Sequence, residues 1–277
     1  MSDEHGSPIG VSVVARDVSE QKAARRELEI AKHELERSNQ ELQEFASVAS
    51  HDLKEPLRKV SAFSGRMIRR QADQLDAEGR DDLIRIDASA TRMQALVDDL
   101  LAYARVSRQV QPFAPIDLAD VTTVVLEDLA ESIRETGARV SVGALPIVLG
   151  DESQLRQLVQ NLLANAIKYR RPDVAPVISV SATMEDVTTA GAGLVVLTVR
   201  DDGIGFEPRY ADRIFAPFER LHGRGQYDGT GIGLAICRRI AERHGGSIRA
   251  TAAPGQGAAF TVRLPVARRA GPEGPAS

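Results

Sequence analysis

The sequence predicts an α-helical hairpin with an N-terminal coiled coil, followed by an α/β sandwich. Two segments in which apolar residues recur at spacings of three and four predict the helical part. Beyond Pro112 and Pro115, helical segments alternate with β-branched strands and glycine-rich loops, which predicts the sandwich. The 277 residues leave room for two such domains, each with its own core.

The first apolar seam predicts a long coiled-coil helix. Its members are Ala24, Leu28, Ala31, Leu35, Ser38, Leu42, Phe45 and Ala49. Charged residues fill the intervening positions, and we expect helical character to continue through Pro56 to about Arg70. Roughly 50 residues at about 1.5 Å each make a rod on the order of 75 Å long. Such a rod suits a dimeric stalk better than a small globular core.

The second seam predicts the other arm of the hairpin. Its members are Leu83, Ile86, Ala90, Met93, Val97, Leu100, Ala104 and Ser107. Asp76 is a candidate N-cap, and Gln71 to Asp76 reads as the turn between the arms. A hairpin with one apolar seam buries it best by pairing with a second copy, so we predict a dimeric four-helix bundle in a homodimer. Periodicity alone leaves open a coiled-coil spacer without chemistry.

The predicted sandwich combines a mixed sheet with helices on one face. We expect helices at about 118–135, 151–169 and 231–244, and strands at 138–142, 177–183, 194–200, 247–252 and 258–264. The predicted division of the chain is a remnant of another domain at 1–18, the coiled coil and hairpin at 19–108, a linker at 109–115, the sandwich at 116–266 and a disordered tail at 267–277.

Composition excludes several classes of protein. A net charge of −4 and an aromatic content of 4% without Trp argue against a nucleic-acid binder. The lone Cys237 cannot form an intrachain disulfide, which favours a reducing compartment. We find no apolar stretch of the roughly 18 residues that suggest a membrane span, and the acidic start does not resemble a secretory signal. We therefore expect a cytoplasmic location.

The segment Ser50-His51-Asp52-Leu53-Lys54-Glu55-Pro56-Leu57 is the first candidate site. A histidine on a solvated helix face usually has no special function. His51 lies off the apolar seam, and Asp52 beside it could accept the imidazole proton, so that the other ring nitrogen stays a free nucleophile. We also expect Pro56 to disrupt the helix within about a turn of His51.

A second candidate lies in the predicted helix 151–169. Asn161, Asn165 and Lys168 are spaced i, i+4 and i+7, which places two amides and an ammonium group on one face. Mg²⁺ prefers oxygen ligands and completes its shell with water and phosphate, so this face suits Mg²⁺ with a polyphosphate. An ordinary amphipathic helix with its polar side outward is the alternative.

Two glycine-rich segments are the remaining candidates. Asp201-Asp202-Gly203-Ile204-Gly205 follows a strand, and its glycines would let a flat ligand approach while a carboxylate accepts a hydrogen bond from an exocyclic amine. Gly229-Thr230-Gly231-Ile232-Gly233-Leu234 opens a helix, where free N–H groups favour phosphate. It follows no strand and lacks Gly-Lys-Ser/Thr, so neither a Rossmann nor a Walker loop is predicted.

These segments, in this order, resemble those of the sensor histidine kinases of two-component signalling. The likeness spans about residues 20–265: an H box around His51, an N box at Asn161–Tyr169, a G1 box at Asp201–Gly205, an F box at Phe215–Arg220 and a G2 box at Gly229–Gly233. Residues Ile9 to Asp17, with Asp17-Val18-Ser19 at their end, resemble the last strand and exit motif of a PAS domain, which implies an upstream sensor domain. The resemblance implies a phosphoacceptor hairpin and an ATP-binding domain.

The resemblance also implies a role for each matched residue. His51 would accept the phosphoryl group with Asp52 as its base, and Asn165 would ligate Mg²⁺ with support from Asn161. Lys168 would contact phosphate, Tyr169 would stack on adenine and Asp201 would bind the adenine amine. The loops would shape the ATP pocket through Gly203, Gly205, Gly229, Thr230, Gly231, Gly233 and Leu234. The span Phe206 to Asp228 would be a mobile ATP lid.

The implied activity is autophosphorylation of His51 with ATP and Mg²⁺, followed by transfer to an aspartate of a response-regulator receiver domain. Members that also dephosphorylate their partner commonly carry Thr or Asn four residues after the histidine, whereas this chain has Glu55. Two alternatives remain open: a nucleotide-gated interaction module without phosphotransfer, and an ATPase resembling the gyrase, Hsp90 and MutL group. The latter would need a carboxylate in the Asn161–Asn165 segment, which has none.

Overall fold

The computed structural model describes residues 52–70, 76–106, 112–185, 193–221, 227 and 229–266, together with positions 26, 29, 30, 33, 34 and 37. The six separate positions are helical. The apolar seam of the predicted coiled coil, His51, most of the predicted turn, the segment 1–18 and the predicted disordered tail lie outside the described residues. The hairpin arms and the sandwich belong to one compact unit, Ala46–Ser277.

The two arms of the hairpin are α1 (residues 52–70) and α2 (Ala77–Arg105). Asp76 caps α2 as predicted, because its side chain accepts a hydrogen bond of 2.8 Å from the Gly79 N–H. An ion pair joins Lys54 to Asp98, and the Ser61 hydroxyl donates to Asp87 over 2.5 Å. Early residues of one arm thus meet late residues of the other, so the arms run antiparallel and the predicted hairpin is confirmed.

The sandwich begins with β1 (Ala114–Asp117), α3 (Leu118–Asp128), α4 (Ala130–Thr136), β2 (Arg139–Val142), β3 (Ile147–Gly150) and α5 (Glu152–Lys168). It continues with β4 (Val177–Glu185), β5 (Leu194–Asp201), α6 (Gly233–Arg243), β6 (Ser247–Ala252) and β7 (Ala258–Pro265). Two 3-10 turns, Pro208–Tyr210 and Arg213–Phe215, lie between β5 and α6. The five predicted strands and the helices expected at 151–169 and 231–244 are thus present with small shifts of their ends.

A five-stranded mixed sheet forms one layer of the sandwich, with the order β2-β4-β5-β7-β6. The β2–β4 pair is parallel and the other pairs are antiparallel. Helices α3, α5 and α6 pack together, and their apolar faces share one buried core with the sheet. Leu155, Leu158 and Leu162 on α5 are fully buried, as are Ile236 and Ile240 on α6. This packing fixes the polar face of α5 against the loops that follow β5 and precede α6.

Three features differ from the sequence predictions. The linker was expected to continue to Pro115, but β1 begins at Ala114 and pairs antiparallel with β3 in a two-stranded sheet that was not predicted. The helix expected at 118–135 is divided at Leu129 into α3 and α4. Residues 52–70 are helical throughout, so among them Pro56 causes no break.

Within the described residues, we find no helix long and apolar enough to cross a membrane.

Candidate functional site

A pocket lies between the end of α5, the end of β5 and the start of α6. Five of the predicted site residues line it: Asn165, Tyr169, Asp201, Gly205 and Leu234. The other lining residues are Ile204, Phe206, Ile214, Glu219, Arg220, Leu221, Ala258 and Phe260. The walls are thus mostly apolar, with a few polar groups, as is usual for a small-molecule site.

Asp201 is the buried polar group of this pocket. It occupies the last position of β5, where Oδ1 accepts hydrogen bonds from the N–H groups of Gly203 (2.9 Å) and Ala258 (3.2 Å). Burial raises the pKa of the carboxyl, and these two hydrogen bonds oppose that shift only in part. Because both bonds go to Oδ1, Oδ2 is the oxygen that can accept a hydrogen bond from a ligand.

The turn after β5 requires its glycines. A Cβ at Gly203 would lie 2.3 Å from the carbonyl oxygen of Tyr169, to which the Ile204 N–H donates a hydrogen bond of 2.9 Å. Gly205 has φ of +60°, and a Cβ there would lie 2.0 Å from the Ala253 carbonyl oxygen. The turn therefore packs backbone against backbone on Tyr169, which fixes the distance between Tyr169 and Asp201.

The polar face of α5 has three distinct contacts. The Asn161 amide donates a hydrogen bond of 3.1 Å to the carbonyl of Gly233, which ties α5 to the start of α6. Asn165, one turn later, lines the pocket. The Lys168 ammonium lies 4.5 Å from the centroid of the Tyr169 ring, and a Cβ at Gly229 would come within 2.5 Å of it. The predicted common face is present, with Asn165 at the pocket and Lys168 beside Gly229.

The second glycine loop leads from Gly229 into α6. Gly229 and Gly231 have positive φ values of +144° and +79°. At Gly233, by contrast, a Cβ would make an ordinary contact of 3.6 Å with Asn161, so space does not demand a glycine there. The N-cap of α6 is Ile232, whose side chain has no acceptor for the N–H groups of the first turn. Those groups suit an anion, as predicted from the sequence.

Thr230, in the same loop, points toward the hairpin. Its hydroxyl donates a hydrogen bond to the Asp99 carboxylate on α2 and accepts one of 3.3 Å from the Ile232 N–H. The resemblance implies that Thr230 helps to bind the nucleotide, and a direct contact with a ligand stays a prediction.

Several pocket residues come from the segment between β5 and α6. Glu219 forms an ion pair of 2.7 Å with Arg213, and Arg220 donates a hydrogen bond of 2.6 Å to the carbonyl of Tyr227. The Tyr227 ring lies 5.1 Å from that of Tyr169. This segment covers the predicted lid, of which residues 222–226 and 228 lie outside the described residues. Glu219 and Arg220 belong to the F box and to the predicted lid, but neither was predicted individually as a residue that lines the pocket.

Ala258 and Phe260 on β7 were not predicted as site residues either. They reach the pocket because β7 pairs with β5, which brings Phe260 opposite Val199. Nothing in the local sequence around them distinguishes a pocket residue from any other sheet residue.

The candidate phosphoacceptor itself lies outside the described residues. Asp52, the residue after His51, is helical and exposed at the start of the described part of α1. A contact between Asp52 and the imidazole of His51 stays a prediction.

Two protein families match this chain, one over the hairpin and one over the sandwich. Residues 41–109 match the family His Kinase A (phospho-acceptor) domain, and residues 150–268 match the family Histidine kinase-, DNA gyrase B-, and HSP90-like ATPase. The first range contains His51 and the hairpin, and the second contains the whole pocket. The chain belongs to the histidine kinase family.

Several relatives match most of this chain. Cyanobacterial phytochrome A of Nostoc sp. is 43% identical over 238 residues, which are 86% of this chain and 30% of that protein. The methanogenesis regulatory histidine kinase FilI of Methanothrix harundinacea is 32% identical over 262 residues, which are 94% of this chain and 29% of that protein. The chain thus spans about a third of the length of these relatives.

A solved structure supports the fold of this chain. Full-length ShkA in complex with AMPPNP has a TM-score of 0.61 and 29% identity, and the match covers 83% of this chain and 47% of that one. The match covers more of this chain than the sandwich alone does, so it agrees with the hairpin and the sandwich described above.

Proposed function

We propose that this chain is an ATP-dependent protein-histidine kinase that phosphorylates its own His51 and passes the phosphoryl group to an aspartate of a response-regulator receiver domain. The observation that carries the proposal is the buried Asp201 carboxylate, which lines the pocket together with Tyr169 and Asn165 and whose two backbone hydrogen bonds both go to Oδ1. A site of this kind, in one chain with a phosphoacceptor hairpin, suits a nucleotide as phosphoryl donor.

The pocket suits adenine at its Asp201 end. Adenine carries an exocyclic amine, which is a hydrogen-bond donor, and the free Oδ2 of Asp201 is an acceptor. The Tyr169 ring offers a flat face, and Ile214, Leu221 and Phe260 supply apolar walls. The protein would therefore recognise the base through one hydrogen bond at its edge and through packing on its faces.

The Lys168 end suits the triphosphate and Mg²⁺. The Lys168 ammonium lies against Gly229, and the first N–H groups of α6 follow directly. Among the described residues, no cluster of three or more His, Cys, Asp or Glu could hold a metal ion, so the fit rests on the Asn165 amide oxygen, phosphate and water. When bound, Mg²⁺ neutralises charge on the phosphate oxygens. Asn165 would hold it, and Asn161 would keep α6 in register with α5.

The proposed chemistry at His51 is a direct phosphoryl transfer. A ring nitrogen of His51 forms a bond to the γ-phosphorus as the bond to the bridging oxygen of ADP breaks. The imidazole proton on the other nitrogen passes to Asp52, which leaves a phosphohistidine with an uncharged ring and an anionic phosphoryl group. Lys168 holds the γ-phosphate, and ADP is the leaving group.

We propose that the hairpin forms the homodimer. Two exposed apolar stripes run along it, each with a seven-residue spacing: Leu53, Val60 and Met67 on α1, and Ile86, Met93 and Leu100 on α2. A seven-residue repeat keeps an apolar stripe on one side of a helix over several turns. A second hairpin would cover both stripes in a four-helix bundle.

Incubation with γ-labelled ATP and Mg²⁺ tests the proposal. The wild type should incorporate label, while His51→Ala should bind ATP but stay unlabelled, and Asp201→Ala should lose both binding and label. The exposed Arg156→Gln serves as a control and should label like the wild type. Label retained in His51→Ala would place the phosphoryl group on another residue and overturn the proposal.

A further inference from the structure

Asp202, the neighbour of the adenine-binding candidate, connects three parts of the structure. Its Oδ1 accepts a hydrogen bond of 2.8 Å from the N–H of Val177, the first residue of β4. Its Oδ2 accepts a hydrogen bond of 2.9 Å from Arg171, which lies in the connection between α5 and β4. Asp202 thus ties both sides of that connection to the turn that follows β5.

The ion pair between Arg171 and Asp202 is too exposed to contribute much to global stability. The side chains keep 42% and 35% of their accessible surface. Pairs of this kind contribute about 0 to 1 kcal/mol to the free energy of unfolding. A role in local geometry explains the three-way contact of Asp202 better than a role in stability does.

The pair acts on the two residues that define the adenine end of the pocket. Arg171 lies two residues after Tyr169, and Asp202 directly follows Asp201. Between them, the Ile204 N–H donates its 2.9 Å hydrogen bond to the Tyr169 carbonyl, and Gly203 packs against that oxygen without room for a Cβ. A shift of the Arg171 segment would therefore move the Tyr169 backbone relative to the Asp201 carboxylate.

We propose that Arg171 and Asp202 are positioning residues that set the selectivity of the pocket for adenine over guanine. The proposal rests on the proposed function, because it assumes that Asp201 Oδ2 accepts the adenine amine. Guanine presents a carbonyl oxygen where adenine presents that amine, so it would place an acceptor against the Asp201 acceptor. This repulsion excludes guanine only if the base cannot shift within the pocket. The ion pair restricts such shifts by holding Tyr169 and the turn together.

The pair does not touch the reacting phosphorus, so its loss should affect nucleotide binding rather than the chemical step. For Arg171→Gln we expect the KM for ATP to rise about three- to tenfold, while kcat at saturating ATP stays within twofold. The ratio of ATP affinity to GTP affinity should fall by a similar factor. Arg171→Lys keeps the charge and should recover most of the ATP preference.

The experiment measures the affinity of the full chain for ATP and for GTP, together with autophosphorylation kinetics, in the wild type, Arg171→Gln, Asp202→Asn and the double variant. The double variant should lose no more selectivity than either single variant, because each removes the same pair. The matched control is Arg156→Gln, which breaks the pair with Asp128 (2.6 Å; 46% and 35% exposed) away from the pocket. It should leave the selectivity unchanged.

Thermal unfolding of each variant shows whether the chain is folded when binding is measured. A wild type that prefers ATP together with an Arg171→Gln variant that keeps the same ATP-to-GTP ratio would overturn this inference alone. So would equal losses for both nucleotides, or additive losses in the double variant. A wild type that binds neither nucleotide would overturn both this inference and the proposed function.

Discussion

The hydroxyl of Thr230 donates a hydrogen bond to the carboxylate of Asp99, which joins the second glycine loop to helix α2 of the hairpin. Two further contacts join α6 to the end of α2: the Arg239 guanidinium lies 4.6 Å from the centroid of the Tyr103 ring, and Arg243 donates a hydrogen bond to the carbonyl of Val106. The proposed phosphate-binding loop is thus held against the hairpin by a residue that carries a negative charge.

This contact predicts the effect of Asp99 on ATP binding. A carboxylate beside the loop repels the triphosphate, so Asp99→Asn should lower the dissociation constant for ATP about fivefold, on the order of 1 kcal/mol. Titration with a fluorescent ATP analogue measures it. The control is Asp98→Asn, since Asp98 pairs with Lys54 within the hairpin. Unchanged or weaker binding in Asp99→Asn would contradict the prediction.

Asp201→Asn should separate nucleotide binding from folding. The amide oxygen can keep the hydrogen bonds from Gly203 and Ala258, but the amide NH₂ would then face the adenine amine, donor against donor. ATP affinity should fall at least tenfold, from a loss of about 1.5 kcal/mol or more. Equilibrium binding measures this loss, and wild-type affinity in the variant would exclude Asp201 as the adenine acceptor.

The raised pKa of Asp201 predicts that Asp201→Asn does not destabilise the fold, although it weakens nucleotide binding. The stability linked to its protonation is full below a pH of about 4 and is lost as the pH rises through the raised folded-state pKa. At pH 7 the buried charge therefore costs stability, which Asn removes. Without nucleotide, thermal unfolding of Asp201→Asn at pH 7 should have a midpoint equal to or above that of the wild type, and a clearly lower midpoint would contradict this.

We expect the buried His244 to make the stability of the sandwich sensitive to acid. Its buried ring stacks on Phe113 at 4.5 Å, its Nε2 accepts the Asp151 N–H over 3.0 Å, and its Nδ1 lies 2.8 Å from the carbonyl oxygen of Ile240. Burial lowers the pKa of the imidazole, and the nearby Arg243 lowers it further while Asp151 opposes the shift. The neutral ring thus fits the hydrogen bonds that the structure shows.

The sign of this shift sets the pH range. Because the folded-state pKa lies below the unfolded value of about 6.5, the stability linked to His244 is present above that pH and is lost as the pH falls through the lowered pKa. The midpoint temperature of thermal unfolding should therefore fall less steeply between pH 7.5 and pH 5 in His244→Gln than in the wild type. Parallel curves would show that another group controls the acid sensitivity.

The apolar stripes of the hairpin predict which substitution breaks the dimer. Met93 lies on the α2 stripe and is 48% exposed, whereas Ile84 is 49% exposed on another face of the same helix. Met93→Glu should shift the chain toward monomer in analytical ultracentrifugation, because a charge would be buried in the apolar interface. Ile84→Glu should leave the dimer intact. Equal effects of both substitutions would place the interface elsewhere.

The sequence predicts most of the fold because periodicity and glycine loops are local signals. Helix α2, the Asp76 cap and strand β5 were predicted from local residue patterns, and each is present. The sheet formed by β1 and β3 was missed because its strands of four residues each contain too little alternation, and Pro115 reads as a linker residue. Its pairing depends on tertiary contact.

The candidate site divides in the same way. Asn165, Tyr169 and Asp201 were found because their motifs are short and continuous in sequence. Phe260 enters the pocket through strand pairing, and Asp99 meets Thr230 across 131 residues of chain. No local pattern marks such residues, since their role depends on which elements pack together.

The chemistry of the labelled group tests the central claim most directly. The full chain is incubated in parallel with γ-labelled and α-labelled ATP, and the product is exposed to acid and to base. We predict that the protein takes up label from γ-labelled ATP only. This label should be lost in acid and stable in base, because a phosphoramidate is acid-labile and base-stable. The label should map to His51. Label that survives acid, or that maps to a residue other than His51, would contradict the assignment of this chain as a histidine kinase.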